Sequence, residues 1–317
     1  MAVNREKTHQ WKADTAASVD MFNEWFMNRA PQEFRDTRVV VTKHVEDTLI
    51  ATNDLSAITL AILRSTPRIL PTLRMACCPP LAVDRLIGLA GANKSLVGNM
   101  EEGKLSVRMA ESALIDQLSR LIRIIDRMLD RDIFPWLATN GRATDEQRHR
   151  ASTIVADRLC GAVANPIIRN AQEKRQKAAI EAYLIGMGYR KQQRPPAQLL
   201  TDMEPGTFWF GMNLVVGVTP QEFNIPIDVV IQPKNLRPSR LPVLIEAKSA
   251  GDFTNTNKRR KEEATKAHQL RVKYGGDIEF VLFLCGYFDA GYLGYEAAEL
   301  IDWVWEHRLS DLGDLLS

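Results

Sequence analysis

The chain has 317 residues, 45% of them apolar and 25% charged, with 41 Lys and Arg against 39 Asp and Glu for a net charge of +2. This is the composition of an ordinary globular protein, long for one core and natural for two domains; it excludes a disordered or fibrous chain and carries no overall basic signature of nucleic-acid binding. No apolar run approaches membrane-spanning length and the N-terminus lacks an apolar signal core, while Cys77, Cys78, Cys160 and Cys285 show no CxxC or Cys/His spacing, so a reduced, cytoplasmic protein without a zinc site is expected.

Residues 1 to about 165 are helix-rich, with amphipathic stretches broken by Pro31, Pro67, Pro71, Pro79-Pro80 and Pro135. The clearest helix is predicted over Glu111–Arg131, where Leu114, Leu118, Leu121, Ile125 and Met128 form one stripe and Arg120, Arg123 and Arg127 lie largely off it. Such a stripe suits a core face better than a dimer interface. The loop Asn140–Asp145 precedes another helix that Thr144 or Asp145 caps. A junction between residues 165 and 172 divides a helical N-terminal region, 1–168, from a C-terminal region, 169–317, although no linker composition marks it.

The C-terminal region changes period. Glu173–Met187 is a predicted helix ended by Gly186 and Gly188; Thr207–Gly217, the run Ile225–Ile231 and the run ending Val243-Leu244-Ile245 are strands. A basic helix over Lys258–Tyr274, capped by Thr256 or Asn257 and stopped by Gly275-Gly276, then leads to the wholly apolar Ile278–Leu284, as expected of a strand buried on both faces. Asp228 on the second strand lies eighteen residues before Glu246, and Lys248 follows Glu246 on the same strand face. Two hard oxygen ligands beside an ammonium can hold a magnesium ion against a phosphodiester and place a water to attack it. A Glu-x-Lys triplet alone is expected about once by chance in a chain this long. The β-branched lead-in, the upstream aspartate on a neighbouring strand and the turn residues between them narrow the reading to a nuclease.

That order of helix, three strands, helix and strand, with Asp228 and Glu246-Ala247-Lys248 where they stand, resembles the PD-(D/E)XK nuclease superfamily. The stretch Ile245–Ala264 (IEAKSAGDFTNTNKRRKEEA), with Gly286–Ala298 and Ile301–Arg308, is similar to XamI-type type II restriction endonucleases, and Trp11–Asp14 and Leu73–Pro80 extend the likeness toward the N-terminus. One departure is that Ile227 separates Pro226 from Asp228, where the superfamily places its proline directly before the aspartate. The resemblance implies an α/β (α+β) fold, a mixed central sheet flanked by helices, joined to the helix-rich N-terminal region.

It also implies roles. Asp228 and Glu246 would ligate one or two Mg²⁺ ions with the Ala247 carbonyl, and Lys248 would hydrogen-bond the attacking water. Superfamily members often add a carboxylate from the preceding helix; Glu181 is the candidate, with a plain helix-surface glutamate as the alternative. Thr254, Asn255, Thr256 and Asn257 suit phosphate and base-edge contacts, or else form a polar cap for the next helix. The run Lys258, Arg259, Arg260 and Lys261 favours DNA contact over a solvated face, with Arg237 and Arg240 as weaker candidates, and His307 among Trp303 and Trp305 is expected to be packed rather than catalytic. The activity expected is Mg²⁺-dependent cleavage of double-stranded DNA at a short, palindromic site by a homodimer. A structure- or damage-directed nuclease and a catalytically silent DNA-binding module of the same fold are the alternatives.

Overall fold

The protein is described from a computed structural model covering residues 2–105, 108–139, 141–193, 200–217, 221–235, 239 and 241–317, except the side chains at 255 and 257–259. Arg237 and Arg240 therefore lie outside the described residues, as do the side chains of Asn255, Asn257, Lys258 and Arg259. The chain divides into two compact units, one of residues 30–168 and one of residues 1–29 with 169–317. No helix among the described residues is long and apolar enough to cross a membrane.

The first unit is helical. It takes most of α1 (Trp11–Ala51), then α2 (Leu60–Ser65), α3 (Leu70–Met75), α4 (Val83–Ala90), α5 (Lys94–Glu101), α6 (Glu111–Met128), α7 (Trp136–Thr139) and the first half of α8 (Asp145–Gly186). The stripe on α6 faces inward: Leu114, Leu118, Leu121 and Ile125 are buried in one core with Val45, Leu63, Leu73 and Val155. At the start of α8 the Thr144 hydroxyl accepts from the Gln147 N–H and the Gln147 side chain accepts from the Thr144 N–H, a reciprocal cap that fixes where the helix begins.

Two prolines lie inside long helices, and one of them, Pro31, was expected to break its helical stretch. Pro31 lies inside the 41-residue α1 and breaks nothing, and Pro166 lies inside the 42-residue α8, which runs on through Glu173 as one helix. Each removes one backbone donor, a loss that long helices packed on both sides of it absorb. Both prolines sit within three residues of the division between units, at 29/30 and 168/169. The junction carries no linker composition because it lies within helices.

The second unit is built on a six-stranded mixed sheet in the order β1 (Arg190–Lys191), β2 (Thr207–Val216), β3 (Phe223–Gln232), β4 (Val243–Ala250), β5 (Glu279–Gly286), β6 (Asp302–Trp305). The β2–β3 and β3–β4 pairs are antiparallel; the β1–β2, β4–β5 and β5–β6 pairs are parallel. The β4–β5 connection is α9 (Phe253–Tyr274), long enough to carry the chain back for a parallel partner. Alternation sorts each strand's residues between two cores. Val230, Leu244, Leu282, Leu284, Trp303 and Trp305 pack with Ala267 and Leu270 of α9 and with Tyr292 and Leu293 of α10 (Ala290–Ala298). Val229, Ile231, Val243, Ile245, Val281 and Phe283 pack with Ile180 and Leu184 of α8 and with α11 (Ser310–Leu316). The expected α/β class, a mixed sheet flanked by helices beside a helix-rich region, is therefore present.

The first residues join this unit through polar bonds. The Asp302 carboxylate accepts the backbone N–H groups of Val3, Asn4 and Arg5, Trp11 meets Trp303 edge-on at 5.5 Å, and Arg308 bonds Asp14 and Asp311. His307 packs against Trp305 with burial lowering its pKa, so it is a packed histidine as expected.

Candidate active site

The β3–β4 ladder pairs Ile231 with Val243, Val230 with Leu244 and Val229 with Ile245, and then stops. One residue further along each strand stand Asp228 and Glu246. Glu246 follows Leu244 on the side that meets α9, while at Asp228 the alternation of β3 breaks, with Val229 in the α8-side core and Ile227 in the α9-side core, and its carboxylate reaches Lys177 of α8. Where the ladder ends, the Asp228 Oδ2 accepts the Ala247 N–H at 2.9 Å, so a side chain takes over from the backbone and the two strands part around it. The apolar, mostly β-branched residues that follow Asp228 and precede Glu246 pair the two strands up to this point. The site thus stands at the open end of a well-anchored pair.

Charges of both signs meet there. Glu246 receives Lys248 on Oε1 at 3.2 Å and Lys266, from α9, on Oε2 at 2.7 Å. Lys248 lies 3.4 Å from the Glu263 carboxylate of α9, an ion pair longer than a hydrogen bond. On the α8 side, Lys177 links Glu173 at 2.5 Å to Asp228 Oδ1 at 3.0 Å, and the Gln176 amide donates to the Lys248 carbonyl at 3.3 Å. Burial disfavours the Lys248 ammonium, but the Glu246 and Glu263 carboxylates outweigh it and raise its pKa. Lys248 is consequently a cation at neutral pH, suited to donating a hydrogen bond to a water or phosphate oxygen and unsuited to removing a proton. Behind it, Glu263 and Glu296 are almost wholly buried, and neither has a hydrogen-bond partner among the described residues. Burial, with Glu263 and Glu299 nearby, pushes the Glu296 carboxyl up to about 8.

The other expected residues fall in different places. Glu181 is bound to Lys191 at 2.8 and 3.0 Å on the helix surface, the position its plainer alternative describes. The segment expected as a polar loop before α9 is already its first turn. The helix starts at Phe253, with the Asp252 carboxylate accepting the Thr254 N–H, so the cap is neither Thr256 nor Asn257. Thr256 is fully buried and its hydroxyl donates to the Phe253 carbonyl, which withdraws it from any DNA surface. Thr254 is exposed. The Arg260 guanidinium lies over the Tyr295 ring at 4.9 Å rather than in solvent. Lys261 lines a shallow groove of about 460 Å³ with Pro226, Thr265 and Lys266, beside Glu246. A larger cavity of about 550 Å³, among Arg5, Arg271, Glu279 and Asp302, lies at the opposite ends of β5 and β6 and holds none of these carboxylates.

Four site neighbours were not anticipated: Glu173, Lys177, Glu263 and Lys266. Their only sequence signal is spacing, four residues apart on α8 and three apart on α9, and such pairs are common on helix surfaces.

The family model for XamI restriction endonuclease matches residues 53–305. The chain belongs to the XamI restriction endonuclease family. It is 52% identical over 310 residues to type II restriction enzyme SalI of Streptomyces albus G, covering 98% of both chains. It is 24% identical over 210 residues to type II restriction enzyme XamI of Xanthomonas campestris pv. amaranthicola, covering 66% of this chain and 68% of that one. No solved structure matches. Membership of this family makes the chain an endonuclease, and Asp228, Glu246 and Lys248 all fall within the matched residues.

Among the described residues no group of three or more His, Cys, Asp or Glu is arranged to hold a metal. Magnesium does not require one, since it keeps several waters and is commonly bound through one or two carboxylates together with substrate phosphates. Asp228 and Glu246, hard donors flanking the parting strands, fit that demand.

Proposed function

We propose that this endonuclease hydrolyses phosphodiester bonds of double-stranded DNA at a short specific site as the restriction component of a restriction-modification system, with Mg²⁺ held by Asp228, Glu246 and the Ala247 carbonyl. The observation that supports the reading is the hydrogen bond from the Ala247 N–H to the Asp228 carboxylate, which lies where the β3–β4 ladder ends and links Asp228 to the Glu246-Ala247-Lys248 strand. Mg²⁺ bound there would lower the pKa of a water and neutralise charge on the phosphate. Lys248, kept charged by Glu246 and Glu263, orients the attacking water and stabilises developing negative charge. Thr254 and Lys261 would meet the DNA backbone beside the site, Lys261 across the groove next to Pro226. Two such sites acting on the two strands of a palindrome require a homodimer, on the argument that a two-fold protein matches a two-fold site. The type II designation of two relatives supports this reading.

The test is digestion of phage DNA of known sequence by the purified protein in Mg²⁺, with the ends mapped. Discrete fragments sharing one terminal sequence are expected. A smear would favour structure- or damage-directed cleavage, and binding without cutting a silent module.

A further inference from the structure

Both carboxylates of the site are held by lysines that the Glu-x-Lys motif does not include. Lys177 stands one helical turn after Glu173 on α8 and bridges it to Asp228 across the sheet, at 2.5 and 3.0 Å. Lys266 stands on α9 and takes Glu246 Oε2 at 2.7 Å, while Lys248 takes Oε1 at 3.2 Å. Their side chains are only 26% and 15% exposed, so these contacts are screened much less than surface ion pairs. A Glu–Lys pair one turn apart on an exposed helix contributes a few tenths of a kcal/mol at most. What separates Lys177 from that case is its third partner, an aspartate on a different element.

We propose that Lys177 and Lys266 are built-in counter-cations that compete with a divalent ion for Asp228 and Glu246 and so set the metal affinity of the site. The inference rests on the metal-dependent reading above. An ammonium within 3 Å of a carboxylate oxygen occupies a lone pair that a metal needs and repels the incoming charge. A divalent ion must therefore move both ammoniums aside, and that cost appears as weakened binding. The lysines also have a structural use, because without Lys177 the Glu173 and Asp228 carboxylates would lose the cation they share, and without Lys266 the Glu246 carboxylate would be left to Lys248, which Glu263 also faces.

The experiment is calorimetric titration of Mg²⁺ alone into the full chain without DNA, with thermal unfolding in parallel, for wild type, Lys177→Met, Lys266→Met, Lys177→Arg and Asp228→Asn. A neighbouring opposite charge shifts a carboxylate's affinity for a proton by about 10- to 1,000-fold, and a metal ion responds in the same sense, so each Met variant is expected to bind Mg²⁺ on the order of tenfold more tightly. Each should also melt lower without Mg²⁺ and gain more on its addition. Lys177→Arg, which keeps the charge, should stay near wild type, and Asp228→Asn should lose binding. Met variants that bind no more tightly than wild type, while Asp228→Asn has lost binding, would overturn the competition and leave the metal site standing. Binding that is absent in wild type and both Met variants, or unchanged in Asp228→Asn, would overturn the metal site itself.

Discussion

The helical unit and the candidate site of the sheet unit use charge in opposite ways. In the helical unit the charges are closed pairs. Arg74, 6% exposed, makes two bonds to Glu101 at 2.8 and 2.6 Å and a third to the Leu81 carbonyl; Arg148 grips Asp54 with two bonds; Arg158 ties Asp130 to the Met75 and Cys77 carbonyls. Arg74 and Arg148 each meet a planar carboxylate with a matching two-bond fork, Arg158 makes one bond to Asp130, and the remaining donors of Arg74 and Arg158 close off backbone carbonyls. At the site the charges are lysines and carboxylates in a chain of shared contacts, with Glu263 and Glu296 lacking hydrogen-bond partners among the described residues. Closed arginine pairs fix a fold. A lysine shared between carboxylates can give one of them up, which a site that must admit a cation and a phosphate requires.

The widest break in this comparison comes from the carboxylates themselves. Asp228→Ala and Glu246→Ala should each reduce cleavage to background while DNA binding stays measurable, because they remove the proposed ligands and leave phosphate contacts alone. Lys248→Ala should lose about 10²- to 10³-fold in rate, the usual cost of removing one donor to developing charge. Single-turnover cleavage alongside a binding assay checks all three; strong cutting by either carboxylate variant in Mg²⁺ would end the assignment.

The helical unit should fail differently. Arg74→Ala strands the Glu101 carboxylate, and the expected cost is about 3 kcal/mol, at the low end for a broken buried pair because Glu101 is 21% exposed. Denaturant unfolding would show it, and at low temperature the variant that remains folded should keep wild-type Mg²⁺ affinity. A changed affinity would mean that the two kinds of ion pair are not separable.

Much of the sheet unit was legible because its signals are local. Apolar β-branched runs bounded by turn residues place β3 and β4, and Glu246 and Lys248 both reach α9 because strand alternation has a period of two, while Asp228 meets their strand through the Ala247 N–H. The helical unit gave up its α6 stripe for the same reason of period. What was not legible depends on packing. Nothing in the spacing of Glu173 and Lys177 says that α8 lays them against Asp228, and Glu181, about one turn beyond Lys177, turns out beside Lys191. Thr256 looked like a cap because Ser, Thr, Asn and Asp all suit that place; Asp252 takes it, and the helix then turns Thr256 inward.

The smallest effect concerns Glu296, which has no hydrogen-bond partner among the described residues. Glu296 is fully buried, and burial first, then Glu263 and Glu299, raises its pKa from the ordinary 4.5 to about 8. Between those two values the folded protein holds a proton that the unfolded chain has released. Stability therefore falls as pH rises through that window, by up to about 1.4 kcal/mol per pH unit for this one group, and is fully present only below the unfolded value. Glu296→Gln keeps the shape and removes the titration. Its unfolding free energy should decline less than that of wild type between pH 5 and 8, and the two curves should separate most at the alkaline end, with the variant the more stable. Parallel curves would mean that Glu296 meets a compensating cation when folded and belongs with the closed pairs of the helical unit.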